Sequence, residues 1–346
     1  MMRSASAFQR LRPLPGLMVL ALLAACAGNP EIDATPPQPK PEQPREAPEP
    51  DAQAMLRKAR AERNRAANEA AVEAADARSR TSQQQRRFYA DVEARLLARG
   101  KLRRDRVPQD APIDPEILTR DFLAIALRDE YSREGGDLVA RSQSAPLRRW
   151  QAPVAIQVEF GASADAATRS LYRGAIGQYA GRLAGATKHP VRLTVSGGNF
   201  IVLVLSDDER RTIGPRLAGL VPGIPAQDIQ IIQNLDDNNY CTAFAYAEGN
   251  AAAYSHAVAL IRAELPPLLR DSCIHEELAQ GMGLSNDSPD ARPSIFNDDE
   301  EFALLTRHDE LLLQILYDKR LSPGMSETEA APIVRQIAGE LLGESA

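Results

Sequence analysis

Two adjacent glutamates and a glutamine at helical spacing are the residues of this sequence best suited to chemistry. Glu276 and Gln280 are four residues apart, so on a helix they share one face, with Glu277 beside them. Such a pair can hold a metal ion while the neighbouring carboxylate acts as general base on a bound water. Gly283 would end the helix with a positive φ and turn the chain so that Asn286 returns towards the same face. The pattern predicts Glu276, Gln280 and Asn286 as metal ligands and Glu277 as catalytic base.

The donor atoms of this set argue against zinc. Zinc prefers imidazole and thiolate, and neutral amides bind it poorly, whereas an all-oxygen set suits calcium, magnesium or manganese. We therefore expect no resident cofactor, with a weakly held divalent cation as the alternative. A hard cation would be sought at Glu276, Glu277, Asp287 and Asp298. His275-Glu276 could start an ordinary zinc signature, His-Glu-x-x-His, but the position of the second histidine is Ala279. A hydrogen-bonded structural role is therefore expected for His275.

The spacing from Glu276 onwards resembles the metzincin zinc-peptidase signature, His-Glu-x-x-His-x-x-Gly-x-x-His, with all three histidines replaced. Ser294-Ile295-Phe296 is similar to the turn in which metzincins carry a methionine beneath the metal, which places Phe296 there. Leu305-Thr306-Arg307-His308-Asp309, followed by Ile315-Leu316-Tyr317, resembles their C-terminal helix. The resemblance implies an α+β, zincin-like domain: a mixed sheet packed on helices, a central motif helix and C-terminal helices.

A second resemblance covers the chain from about Leu118 to Leu342, which is similar to a family of proteobacterial lipoproteins catalogued as domain of unknown function 2927. The residues that carry it are Asp121-Phe122-Leu123-Ala124, Arg149-Trp150, Asn199-Phe200, Cys241, Cys273-Ile274-His275-Glu276-Glu277-Leu278-Ala279-Gln280, Pro293-Ser294-Ile295-Phe296-Asn297-Asp298 and Leu316-Tyr317-Asp318. The family implies no activity, so function has to be argued from the residues.

The N-terminus has the order of a bacterial secretory signal: basic residues, an apolar core from Leu17 to Ala25, and then Cys26. Its apolar run is about half of the ~20 residues that a transmembrane helix needs. Leu23-Ala24-Ala25-Cys26 resembles a lipobox, which implies a signal peptide over residues 1–25 and lipid attachment at Cys26. Ala27 and Gly28 follow instead of an inner-membrane retention aspartate, so we expect an outer-membrane anchor facing the periplasm.

Composition divides the rest of the chain into three parts. Residues 26–50 are a proline-rich, disordered linker. Residues 51–107 form a charged, alanine-rich helical stalk, expected to be a solvated single helix, with partner binding by the face from Phe88 to Leu97 as the alternative. Residues 108–346 form the metzincin-like globular domain. The formal net charge of -6 argues against nucleic acid as a partner.

Periodicity predicts the elements of the globular domain. A helix is expected to start with Asp114 as its cap and Pro115 in its first turn, and to carry Asp129 and Glu130 on its polar side. Further helices are predicted over residues 164–183 (with Leu171 inward), 208–220, 251–264, 267–282, 306–317 and 326–342. Strands are predicted over residues 154–160, 191–195, 200–205, 229–232 and 240–247, with a hairpin or tight turn at Gly197-Gly198.

Cys241 and Cys273 remain once Cys26 is set aside. In an oxidising periplasm an even pair of distant cysteines predicts a disulfide. This bond would join the strand near Tyr240 to the motif helix. A reactive thiol is the weaker alternative, because no second cysteine or basic cluster lies close in sequence.

Three functions fit these residues. The favoured one is a lipid-tethered periplasmic module that binds or scaffolds another envelope component, an unknown protein or peptidoglycan, after losing its zinc histidines. The alternative is a hydrolase of peptide or peptidoglycan that uses Glu277 as general base with an unusual cation. In a third, Glu276, Gln280 and Asn286 are purely structural and replace the metal by a buried polar network.

Overall fold

The computed structural model describes residues 62, 80–134, 137–297 and 299–343. The predicted signal peptide, Cys26, the linker, stalk residues 51–61 and 63–79, and Asp298 lie outside these residues. No helix in the described ranges is both long and apolar enough to cross a membrane.

The described chain contains both helices and strands. The helices are α1 (Arg80–Ala98), α2 (Pro115–Ala126), α3 (Ala166–Thr187), α4 (Asp207–Thr212), α5 (Gly214–Leu220), α6 (Ala226–Gln233), α7 (Pro267–Gln280), α8 (Arg307–Leu316) and α9 (Glu327–Leu342). The strands are β1 (Arg128–Glu134), β2 (Asp137–Ser144), β3 (Arg149–Trp150), β4 (Val154–Phe160), β5 (Val191–Thr194), β6 (Phe200–Leu205), β7 (Cys241–Ala247) and β8 (Ala253–Arg262).

The centre of the fold is a six-stranded mixed sheet. Its parallel strands run in the order β3-β8-β6-β4-β5, and β7 pairs antiparallel with β8. Strand β6 is buried along its whole length, as expected for a parallel strand covered on both faces. One face packs on α2, α3, α7, α8 and α9 in the larger core, and the other on a smaller core from the segment that holds α4, α5 and α6. The result is a mixed α/β fold, with β1 and β2 as a separate hairpin.

Local capping signals place several helices as predicted. Asp114 accepts a hydrogen bond from the backbone N–H of Ile117 at 2.7 Å, and Pro115 opens α2. Thr306 and Ser326 each form a capping box at the start of α8 and α9. These caps act within one turn of chain, so the sequence alone shows them.

The predicted helix over residues 251–264 is wrong, because this segment contains β8. Its alanines favour a helix when they are considered alone. However, residues 257–261 are fully buried between neighbouring strands. Tertiary packing therefore overrides the local preference. The short strand predicted over residues 229–232 is also wrong, because those residues belong to the helix α6.

The hairpin predicted at Gly197-Gly198 is also wrong, since β5 and β6 do not pair with each other but lie on either side of β4. The connecting loop passes close to β4, where a Cβ on Gly198 would lie 2.5 Å from Gln157 Cβ. Close approach, rather than a hairpin, therefore accounts for this glycine.

Three smaller corrections concern side chains and helix ends. The predicted helix over residues 208–220 is divided at Gly214-Pro215 into α4 and α5. Leu171, expected to face inward, is 48% exposed on α3. Asp129 and Glu130 belong to β1, because α2 already ends at Ala126.

Helix α1 is the described part of the predicted stalk, and it is not a solvated helix. Tyr89 is fully buried and Val92 nearly so, while Phe88 and Leu97 on the same helix are exposed. Both buried residues belong to the larger core. The sparse apolar residues of this segment therefore pack on the chain's own globular body.

Candidate functional site

A cavity of about 780 Å³ lies between α7, β7 and the base of the β1–β2 hairpin. We call it the cleft. One wall is formed by residues 241–245, and the opposite side is α7. The other lining residues are Asp129, Gln143, Arg148, Ile231, Leu235, Asn239, Tyr254, Ser285 and Asp287.

Helix α7 brings three of the predicted site residues to the cleft. Glu276 and Gln280 are half-buried there, and Glu277 is almost completely buried. Their shared location follows from helical geometry, as the spacing predicted. Glu276 and Glu277 also take part in further interactions within the fold.

Two glycines after the motif allow the end of α7 to approach its neighbours. The helix ends at Gln280, three residues before the predicted Gly283. A Cβ on Gly281 would collide with the ring of Phe200, and the Gly281 carbonyl accepts a hydrogen bond from Trp150 Nε1 at 2.7 Å. Gly283 has φ of +121°, and a Cβ there would lie 2.5 Å from the Arg148 carbonyl oxygen. Gly283 thus has the positive φ expected of it but lies beyond the end of the helix.

Asn286 is not brought to the cleft. It is buried, and its Nδ2 donates to the carbonyl of Ala124 at 2.8 Å and to that of Asp287 at 2.7 Å. Its backbone N–H donates to the carbonyl of Ile125 at 3.1 Å. Asn286 therefore joins the loop after α7 to the end of α2.

This arrangement does not fit the predicted metal site. Glu276 and Gln280 supply one carboxylate and one neutral amide, and the Asn286 amide group donates its hydrogens to carbonyls elsewhere. Within the described ranges, no group of three or more His, Cys, Asp or Glu residues is placed to hold a metal ion.

Arg148 and Tyr254 are two of the lining residues that the sequence did not indicate. Arg148 Nη1 lies 2.5 Å from Asp129 Oδ1 at the base of the hairpin, and Tyr254 comes from the start of β8. Burial raises the pKa of Tyr254 to about 12, while the nearby Arg148 opposes the shift. Asp129 had been assigned to a helix. No local pattern signals Arg148 or Tyr254, because their proximity to α7 arises only from the sheet.

The predicted disulfide between Cys241 and Cys273 is confirmed, with the two Cα atoms 5.9 Å apart. Cys241 is the first residue of β7, and Cys273 lies in α7 one turn before Glu276. The bond therefore joins the strand wall of the cleft to its helical side.

Strand β7 lies at the edge of the sheet. Its pairing in the described chain is with β8, and its residues 241–245 line the cleft. Side chains alternate along it, with Ala243 and Ala245 packed on the larger core and Phe244 and Tyr246 on the smaller one. The outer edge of this strand thus runs beside the cavity.

The family model described as "Protein of unknown function (DUF2927)" matches residues 115–336. The chain belongs to the DUF2927 family. Neither a curated protein nor a solved structure matches it. The matched segment begins with α2 and contains every residue that lines the cleft, whereas α1 precedes it.

Among the histidines of the DUF2927 domain, His275 has the expected structural role. Its Nδ1 accepts a hydrogen bond from the backbone N–H of Leu305 at 2.9 Å, and its ring stacks on Tyr179 with centroids 4.1 Å apart. Burial lowers the pKa of His275 to about 3, with the charge of Arg182 adding to the effect. His275 is therefore a neutral, fixed group away from the cleft.

His308 is completely buried near the start of α8. Its Nε2 lies 3.1 Å from Asp121 Oδ2, and its Nδ1 lies 3.8 Å from Asp309 Oδ1. Burial opposes the charged imidazolium, but the neighbouring carboxylates of Asp121 and Asp309 outweigh it and raise the pKa of His308. Two residues singled out for family resemblance, Asp121 and His308, thus form one buried pair.

Phe296 is also fully buried, in the loop that precedes α8. Its backbone N–H donates to Ser294 Oγ at 3.0 Å, and Ser294 Oγ donates to Asp309 Oδ1. Phe296 does not line the cleft. It belongs to the larger core.

Proposed function

We propose that this chain is a lipid-tethered periplasmic module whose metzincin-like domain binds an extended polypeptide segment in the cleft. The order of elements supports the metzincin-like plan: parallel strands, an antiparallel edge strand, a last parallel strand and then the motif helix. The three zinc histidines of the metzincin signature are replaced in this chain. The module would therefore act by binding or scaffolding in the cell envelope.

The outer edge of β7 beside the cleft is the observation that carries this proposal. An edge strand presents backbone N–H and C=O groups that can pair with another strand. An extended peptide can add to such an edge, gaining affinity from main-chain hydrogen bonds and specificity from pockets for alternate side chains. The adjoining cavity of about 780 Å³ provides room for those side chains.

The tether and its location rest on the N-terminal sequence. The lipobox-like segment ends at Cys26, whose lipid would anchor the chain to the outer membrane with the domain facing the periplasm. The partner would then be an envelope protein or the peptide part of peptidoglycan, and nucleic acid is not an expected partner. The oxidising compartment agrees with the Cys241–Cys273 disulfide.

The hydrolase alternative is retained because Glu277 combines deep burial with a position on the cleft. A carboxylate in that setting can serve as a general base. The test is cleavage of a peptide pool, followed by mass spectrometry, with zinc, manganese, calcium or magnesium added. Product formation that disappears in Glu277→Gln would establish the hydrolase, and intact peptides under all four metals would eliminate it.

Binding is tested with the full chain and an array of ten-residue peptides tiled across envelope proteins, with purified peptidoglycan sacculi in parallel. A bound peptide is then resynthesised with single N-methyl groups. Strand addition predicts that methylation weakens binding at alternate residues and spares those between them, by about fivefold for each hydrogen bond of roughly 1 kcal/mol. Equal effects at successive residues, or no bound peptide, would contradict the proposal.

A protein variant provides a second check. Ala243→Trp places a large side chain on the strand wall of the cleft and should abolish peptide binding. Val195→Trp is the matched control, because Val195 is 95% exposed and does not line the cleft. Binding that survives Ala243→Trp in a folded protein would place the peptide elsewhere.

A further inference from the structure

Helix α1 stabilises the start of α7, the helix that forms one side of the cleft. The first residues of α7 follow Pro266, which provides no side-chain cap. Glu93 takes that place from α1: its Oε2 accepts hydrogen bonds from the backbone N–H groups of Leu268 and Leu269, each at 2.9 Å. A carboxylate at a helix N-terminus satisfies donors that the helix cannot satisfy itself and interacts favourably with its dipole.

The same helix contacts the loop between α6 and β7. Tyr89 donates from its hydroxyl to the carbonyl of Asp237 at 3.1 Å. Its ring lies 5.7 Å from the guanidinium carbon of Arg262 and meets the ring of Tyr240 edge-on at 5.8 Å. Tyr240 directly precedes β7. Tyr89 therefore contacts the middle and the end of the connection that leads into the strand wall.

Arg262 links Tyr89 to residues that line the cleft. Its side chain is 1% exposed and donates to the carbonyls of Leu235, Asp236 and Asn239 at 2.9, 2.6 and 3.1 Å. Leu235 and Asn239 line the cleft. Burial lowers the pKa of Arg262, so this cation depends on the surrounding carbonyls, on Asp207 Oδ1 at 3.5 Å from its Nη1 and on the ring of Tyr89. A change in the position of Tyr89 would therefore also displace Arg262 and, with it, the loop between α6 and β7.

A third contact fixes the first turn of α1. Ser82 is fully buried and donates from its hydroxyl to Glu264 Oε1, which also accepts the backbone N–H of Asp207 at 2.9 Å. Glu264 follows β8 by two residues. Helix α1 is thus held at three separate points, and two of them lead to the walls of the cleft.

We infer that helix α1 is the positioning element of the cleft, so that docking of α1 and binding in the cleft are thermodynamically coupled. Glu93 acts through α7, and Tyr89 acts through its hydrogen bond to Asp237 and through its ring beside Arg262. Helix α1 lies between the predicted tether and the family segment that begins at residue 115. A force or partner that withdraws α1 would weaken ligand binding, and a bound ligand would strengthen docking by the same factor.

The first test is hydrogen exchange of the full chain, read by mass spectrometry without any ligand. Tyr89→Phe should speed exchange over residues 235–247, and Glu93→Ala over residues 267–280, each by about threefold to tenfold for an ordinary hydrogen bond lost. Exchange in β4 should stay unchanged. Phe88→Tyr and Asp91→Ala are matched controls at exposed positions of the same helix.

Two results of this test would overturn the inference. One is wild-type exchange at both segments in both variants, which would mean that α1 does not hold the walls. The other is an equal increase in the exchange rate across the whole domain, which would mean that α1 contributes only to global stability.

The second test rests on the proposed function and uses the peptide selected by the array. Saturation with that peptide should slow exchange of α1, and Tyr89→Phe should weaken peptide binding by the factor seen in exchange. Peptide binding without either effect would refute the coupling. If no peptide binds, the proposed function fails, while the ligand-free exchange still decides whether α1 positions the walls.

Discussion

Removing the Cys241–Cys273 disulfide should destabilise the domain by an amount that follows from the length of chain it closes. The two cysteines are separated by 32 positions. In the chain-entropy model, a closed loop of this length restricts the unfolded state by about 3.7 kcal/mol at 25 °C. The native geometry is already in place, with Cα atoms 5.9 Å apart, so little of this gain should be lost to rearrangement.

The assay is urea unfolding of the full chain, comparing the wild type with Cys241→Ser/Cys273→Ala. Alanine is used at Cys273 because that residue is 2% exposed, and a buried serine hydroxyl would add its own cost. Wild type with reductant is the control that keeps both side chains. We expect the reduced wild type and the variant to lose about 3–4 kcal/mol alike.

A loss below about 1 kcal/mol in both samples would refute this reasoning, because the loop-closure contribution would then be absent. Such a result would mean that other contacts already restrict the chain between β7 and α7 in the unfolded state. A large loss in the variant alone would assign the effect to packing of the sulfur atoms instead.

Three further predictions address stability and pH. Gly281→Ala should lower the free energy of unfolding in urea by about 1–3 kcal/mol, because the new Cβ collides with Phe200. Gly185→Ala is the control: with open space around it, this substitution should be neutral or stabilising. Equal effects of the two substitutions would contradict the collision. Asn286→Leu should lower the free energy of unfolding by about 1–3 kcal/mol, because it leaves buried carbonyls unpaired. Gln280→Leu, on the cleft wall, should have little effect on the melting temperature. A larger loss of stability in Gln280→Leu than in Asn286→Leu would support a buried polar network at Gln280. Because the pKa of His308 is raised in the folded state, its charged form stabilises the fold fully below about pH 6.5 and progressively less as pH rises through the folded pKa. The difference in unfolding free energy between wild type and His308→Gln should therefore shrink with rising pH. A difference that stays constant with pH would contradict this.

Local signals explain what could be predicted of the fold. Caps at Asp114, Thr306 and Ser326 lie within one turn of the helices they start, and the sequence predicts the cap at Asp114 and the start of the helix at each of the other two. The segment of β8 was mistaken for a helix because alanine favours helices, and only burial between two strands makes it a strand. The packing of α1 could not be predicted for a related reason. A few apolar side chains are enough to hold this helix against the surface of the globular domain, and that surface exists only in the folded chain.

The same division applies to the candidate site. Glu276, Glu277 and Gln280 meet at the cleft because their spacing fixes their positions on one helix. Asn286 follows a turn whose direction depends on α2, so sequence spacing misplaced it. Arg148 comes from a distant part of the chain, and its place in the cleft required the folded sheet.

The central claim is that a polypeptide segment pairs with the outer edge of β7. Hydrogen exchange resolved to single amides by NMR, with and without the selected peptide, tests it most directly. If the peptide pairs with this edge, alternate amides within Cys241–Ala247 gain protection in the complex, because only every second backbone N–H of an edge strand points outward. Saturated binding with unchanged exchange along β7 would contradict it.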